Sequence, residues 1–191
     1  MLKHCLFAAT LLGFAALAAC SSSSSSSTSS SSSGSSGDGG GSSGTSGSSG
    51  CQAYDPGSID LQNPKVSFKT DVVAGVFNKS CGLSTSCHGS PTTSQTGLFL
   101  GAKDQAGADS STVQKAIVGV VAQEDATIKI ITAGDPKNSY LMHKMDADQC
   151  TLNAACTGGD CLSSMPQGSD PLPPASRDVV RRWIAQGALD N

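Results

Sequence analysis

The residues best suited to chemistry lie in one short stretch, Ser80-Cys81-Gly82-Leu83-Ser84-Thr85-Ser86-Cys87-His88-Gly89. A cysteine followed at once by histidine, with a second cysteine shortly before, is the pattern of c-type haem attachment. Two thiols add across the two vinyl groups of a rigid porphyrin, and the adjacent imidazole reaches the iron from one face. The customary interval between the cysteines is two residues; here it is five. Widening the loop from two to five residues costs only about 0.8 kcal/mol by loop-closure scaling. The same sulfurs could instead form a Cys81–Cys87 disulfide, with His88 as a surface residue.

Eight cysteines occur, at positions 5, 20, 51, 81, 87, 150, 156 and 161. Lys3 and His4 precede an apolar run from Cys5 to Ala19 that ends in small residues, the layout of a secretory signal peptide. Leu17-Ala18-Ala19-Cys20 resembles a bacterial lipobox. That resemblance implies cleavage after residue 19 and a mature chain that begins at a lipidated Cys20. A multiply acylated terminus holds a protein on a bilayer, whereas a single chain holds it weakly. The protein is therefore expected to be exported and anchored in the cell envelope, on the periplasmic or outer-membrane side. Six cysteines remain in an oxidising compartment, so most are expected to pair. If Cys81 and Cys87 are engaged by haem, Cys51, Cys150, Cys156 and Cys161 can form at most two disulfides. Zinc ligation by Cys150, Cys156 and Cys161 is a lesser alternative, because the spacing is not the usual knuckle and no histidine lies close by.

Residues 21–50 hold 19 Ser, 8 Gly, 2 Thr and 1 Asp and nothing apolar. Such a tract cannot bury a core and is expected to be a disordered tether, with an end-to-end distance of about 30 Å. The remainder of the chain, Cys51 to Asn191, is 141 residues, the size of one domain. No apolar run after residue 20 is long enough to span a membrane. The formal charge is −3 and no basic tract occurs, so nucleic acid is not an expected partner.

Several elements must position the cysteines. Phe68 to Ser80 carries Val72, Val73, Val76 and Phe77 on one helical face and delivers Cys81 at its C-terminal end. Ser110 to Val121 predicts a further helix whose valine-rich end is ambiguous with a strand, and Thr127–Thr132 reads as extended chain. Gly134-Asp135-Pro136 reads as a turn into a short helix with Leu141 and Met145 on one side. Near the C-terminus, Val179, Val180, Trp183 and Ile184 form an amphipathic helix, with Ser176 the expected N-cap and Gly187 near the stop. Val76, Phe77, Leu98, Leu100, Leu141 and Trp183 are candidate core or pocket residues.

Taken in order, these pieces resemble the small bacterial cytochrome c domain family. The matching pieces are the helix before Cys81, Cys87-His88-Gly89, the Gly-Asp-Pro-x-x-Ser-Tyr-Leu stretch at 134–141, Met165-Pro166, and the closing Trp183-Ile184-Ala185-Gln186-Gly187-Ala188. The resemblance spans residues 66–189. It implies a mainly α, cytochrome c-like helical domain whose first and last helices pack together. It also implies haem c bound covalently through Cys81 and Cys87, with His88 and, by position, Met165 as iron ligands. Met142 and Met145 are competing ligands, although both read more simply as core. His143 is expected to be solvated, a bis-His iron being its alternative role. His/Met ligation favours reduced iron, and six-coordinate iron leaves no open substrate site. The implied function is electron transfer with an unidentified redox partner protein, without bond-breaking catalysis. The alternative is a haem-free, disulfide-stabilised lipoprotein that binds a partner or has a structural role in the envelope.

Overall fold

The computed structural model describes residues 51–94, 97–105, 107 and 109–191. The expected signal peptide, the lipidated Cys20 and the Ser/Gly tether lie outside the described residues.

Helix α1 begins at Ser67, whose Oγ accepts the Thr70 N–H at 3.3 Å, while Asp71 accepts the Ser67 N–H at 2.9 Å. It runs in wide π-type turns over Phe68–Phe77 and ends in one α-helical turn, Asn78–Ser80. The wide turns suit the buried set Phe68, Val72, Val73, Val76 and Phe77, which recurs every four to five residues. Helix α2 is Ser110–Ile117, with Val113 and Ile117 buried four apart. The expected helix to Val121 stops there. Val118 and Val121 are extended and form isolated bridges to Ile131 and Lys129, so the β-branched run takes the strand-like option. A single turn, Pro136–Asn138, leads into helix α3, Tyr140–Asp146, and two further single turns lie at Gln149–Leu152 and Thr157–Gly159.

Helix α4 is Pro174–Ala185. Its N-cap is Pro173, with Pro174 at the first helical position, and no side chain caps it. Ser176 lies inside the first turn, correcting the expected cap: consecutive prolines start the helix by fixing φ where no N–H is needed. The expected stop holds, with Gln186 as C-cap and Gly187 at φ 104°.

The chain is thus mainly helical among the described residues. Helices α1 and α4 pack together as expected: the Phe68 and Trp183 rings stack at 4.3 Å and 13°. Phe77 meets Phe68 edge-on at 6.5 Å. Trp183 Nε1 donates to the Leu189 carbonyl at 2.8 Å, so the buried indole leaves no donor unmet. Leu141, Met142 and Met145 of α3 complete this core. Helix α3 is pinned to α4 through polar groups: Asp146 accepts from Arg177 at 2.6 Å and Arg181 at 2.5 Å. The Tyr54 ring lies 4.2 Å from the Arg177 guanidinium.

Among the described residues two disulfides brace the periphery. Cys51–Cys150 ties the segment before α1 to the loop after α3, and Cys156–Cys161 closes a short loop. All three cysteines of the 150–161 cluster are thereby paired, which removes the zinc alternative. Cys81 and Cys87 are free thiols. Among the described residues no helix is long and apolar enough to cross a membrane.

Candidate cofactor-binding site

The last turn of α1 hands the chain to the Cys81–Gly89 loop without a break. The N–H groups of Cys81 and Gly82 both donate to the Phe77 carbonyl at 2.8 Å. The Cys81 carbonyl then accepts the His88 N–H at 3.0 Å, which draws the two ends of the loop together. Ser84 accepts the N–H groups of Cys87 at 3.1 Å and Gly89 at 3.0 Å. The intervening residues 83–86 are pushed into solvent as an exposed bulge. The long interval between the cysteines is therefore an excursion, and Cys81 and Cys87-His88 meet at its base.

Glycine makes the closure possible. A Cβ on Gly82 would sit 1.8 Å from the Gly101 carbonyl oxygen, and one on Gly89 2.7 Å from two carbonyl oxygens. The segment around Gly101 holds the histidine: the Leu100 N–H donates to the His88 carbonyl at 2.9 Å.

His88 is 9% exposed, and its Nδ1 lies 2.9 Å from the Leu98 carbonyl oxygen. A carbonyl only accepts, so Nδ1 carries a proton, and the neutral tautomer that this contact selects has its lone pair at Nε2. Nε2 has no hydrogen-bonding partner among the described residues. A backbone carbonyl that fixes ring orientation and tautomer from the far nitrogen is the usual support of a metal-binding histidine. Cys81 is 8% exposed, and burial, reinforced by Cys87, pushes its thiol up to about 12, so it remains protonated. Cys87 is half-buried and its sulfur accepts from Ser84 Oγ at 3.4 Å. One turn before Cys81, Asn78 is 2% exposed, and neither its amide oxygen nor its amide nitrogen has a partner.

The residue types that covalent haem attachment requires are present on this stretch: two unpaired thiols and one oriented imidazole, with an unmet buried amide at Asn78. The residue expected as the second ligand is less well placed. Met165 is half-buried outside both apolar clusters, its N–H donating to the Lys144 carbonyl at 2.8 Å. The competing ligands are committed elsewhere: Met142 and Met145 are 3% and 1% exposed in the main core. His143 is not the solvated side chain expected, because both its nitrogens are hydrogen-bonded, to Asp148 and to the Lys137 carbonyl. Two clefts, of about 220 Å³ beside Lys65 and Trp183 and about 420 Å³ beside Asp125 and Lys129, include none of the site residues in their walls.

A second polar cluster went unread in the sequence. Lys144 is 6% exposed, and its Nζ donates to the Cys161 carbonyl at 2.6 Å. The Tyr140 hydroxyl donates to the same oxygen at 3.3 Å. Burial lowers the Lys144 pKa and raises that of Tyr140. Together the two side chains fasten the Cys156–Cys161 loop onto α3, just ahead of Met165.

No protein-family model, curated protein or solved structure matches the chain.

Proposed function

We propose that the domain is a c-type electron carrier with a cytochrome c-like fold, held on a membrane of the cell envelope by lipid on Cys20. Cys81 and Cys87 would hold the haem through thioethers, and His88 Nε2 would ligate its iron. When bound, haem supplies reversible one-electron chemistry at its iron. The chain does the rest. The Leu98 carbonyl fixes the tautomer and aim of the imidazole, the Cys81–His88 backbone bond draws the two ends of the loop together, and the α1–α4 core supports the assembly. Met165, on the loop braced by Cys156–Cys161, is the proposed second ligand. The two disulfides are compatible with an oxidising, extracytoplasmic compartment. An exported partner protein of unspecified kind exchanges the electron.

The observation that carries this reading is the state of the loop. The chain pairs Cys156 with Cys161 across a similar interval, yet leaves Cys81 and Cys87 free next to a histidine whose Nε2 has no hydrogen-bonding partner among the described residues.

The test is chemical. The exported protein, made alongside a haem-attachment system, should keep its haem through acid-organic extraction. The peptide spanning Cys81 to His88 should carry the haem mass. A colourless protein whose same peptide is lighter by two hydrogens than its reduced form would instead establish a Cys81–Cys87 disulfide and the haem-free alternative.

A further inference from the structure

His143 is held in a way that a neutral ring cannot satisfy. Its Nδ1 lies 2.8 Å from Asp148 Oδ1, and its Nε2 lies 3.0 Å from the Lys137 carbonyl oxygen. Both neighbours are acceptors. A neutral imidazole has one N–H and can meet only one of them; the imidazolium has two and meets both. The arrangement also rules out a catalytic dyad, since the nitrogen opposite Asp148 is occupied by a backbone carbonyl.

The two bonds join three parts of the chain. Lys137 belongs to the Pro136–Asn138 turn, and His143 to α3. The other oxygen of Asp148 accepts the Tyr54 N–H at 2.7 Å, which fixes the segment before α1. The side chains of His143 and Asp148 are 17% and 7% exposed, so water replaces a lost bond poorly.

The surrounding charges fit a cation at this position. On α3, Asp146 adds favourable field but is bonded to Arg177 and Arg181 of α4, while the Lys144 ammonium is turned to the Cys161 carbonyl. In the turn, the Asp135 carboxylate is occupied by the Asn138 backbone and side chain. The Tyr54 segment contributes its N–H. Asp148 is thus the carboxylate that faces the ring directly, and it raises the His143 pKa above 6.5.

We infer that His143 is a proton-operated latch, which as the imidazolium ties the 136–138 turn to α3 and to Asp148, and which on losing the Nε2 proton releases the turn. The Nε2 proton leaves because the Nδ1 bond goes to a carboxylate and is charge-assisted. A lone pair then faces the Lys137 carbonyl. With the folded pKa raised, the latch contributes stability fully present below 6.5, lost as pH rises through the folded value. This device is independent of haem.

Ring ¹⁵N spectra of the purified full chain, with the signals assigned by His143→Gln, test it. At pH 6.5 both His143 nitrogens should be protonated, titrating above that pH, and the urea midpoint should fall between pH 6 and 9. In His143→Gln that fall should largely vanish. Asp148→Asn, where it folds, should bring the titration to or below the ordinary histidine value. A singly protonated His143 at pH 6.5, or an equal fall in His143→Gln, would overturn the inference.

Discussion

Asp146 is the point where α3 and α4 are joined, and its removal gives the sharpest test of the fold. Its two oxygens each accept from one guanidinium, Arg177 at 2.6 Å and Arg181 at 2.5 Å. The side chains of Asp146, Arg177 and Arg181 are only 8%, 7% and 5% exposed. The two arginines would not suffer equally in Asp146→Asn. Arg181 keeps Asp178, whereas Arg177 keeps only the Leu172 carbonyl and the face of Tyr54. One buried charge is left without a counter-charge, which costs about 3–5 kcal/mol. At about 3 °C per kcal/mol for a domain of this size, thermal unfolding should drop by roughly 10 °C. A matched double variant, Asp146→Leu with Arg177→Met, removes the orphan charge together with its partner and should recover most of the loss. Urea denaturation of the three proteins decides. A cost below about 1 kcal/mol for Asp146→Asn would mean that water reaches the cluster and that the Trp183 face alone docks α4.

Four further outcomes are expected. Replacing Cys51 and Cys150 by alanine should cost about 2.5–3 kcal/mol more than replacing Cys156 and Cys161, because the first bridge spans 99 residues and the second 5; equal urea midpoints would refute the chain-entropy argument. In haem-free protein at pH 8, Cys81 should resist iodoacetamide while the more exposed Cys87 reacts, since a buried thiol pushed up to about 12 holds almost no thiolate at that pH. The same burial adds stability that is complete below pH 9 and lost toward 12; peptide mass spectrometry showing equal labelling would contradict it. Met165→Ala should abolish the sulfur-to-iron charge-transfer band and lower the midpoint potential, whereas an unchanged spectrum would remove Met165 from the ligand set. Cys20→Ser should leave the membrane fraction or remain uncleaved, and a correctly cleaved variant still tightly on the membrane would exclude the lipid anchor.

What could be read from the sequence was whatever depends on local pattern. The apolar residues of α1 and α4, the turn before α3 and the stop at Gly187 all come from periodicity and backbone preference. The core placement of Val76, Phe77, Leu100, Leu141 and Trp183 comes from the same signal. The misread side chain is one whose partners are set by how the chain folds back on itself, not by the character of its immediate neighbours. His143 looked solvated because its neighbours are charged, yet its partners are a carboxylate five residues on and a carbonyl six residues back. Only the arginine cluster left a trace. Arg177 and Arg181 fall on the helical face of Val180 and Ile184, so two arginines inside an apolar stripe implied a buried carboxylate, although nothing local named Asp146.

The interval between Cys81 and Cys87 shows the same division at the site itself. Counted along the chain, five residues separate the sulfurs more than haem attachment ordinarily allows. In space, one backbone bond from His88 to Cys81 closes the excursion, and residues 83–86 leave the site without altering its base. What permits this is the absence of side chains at Gly82 and Gly89, where a Cβ would strike backbone oxygen at 1.8 Å and 2.7 Å. The chemically decisive residues of the loop therefore include two glycines that bear no chemistry. A motif defined by cysteine spacing overlooks them, because it counts residues where the geometry depends on how closely two stretches of backbone can approach.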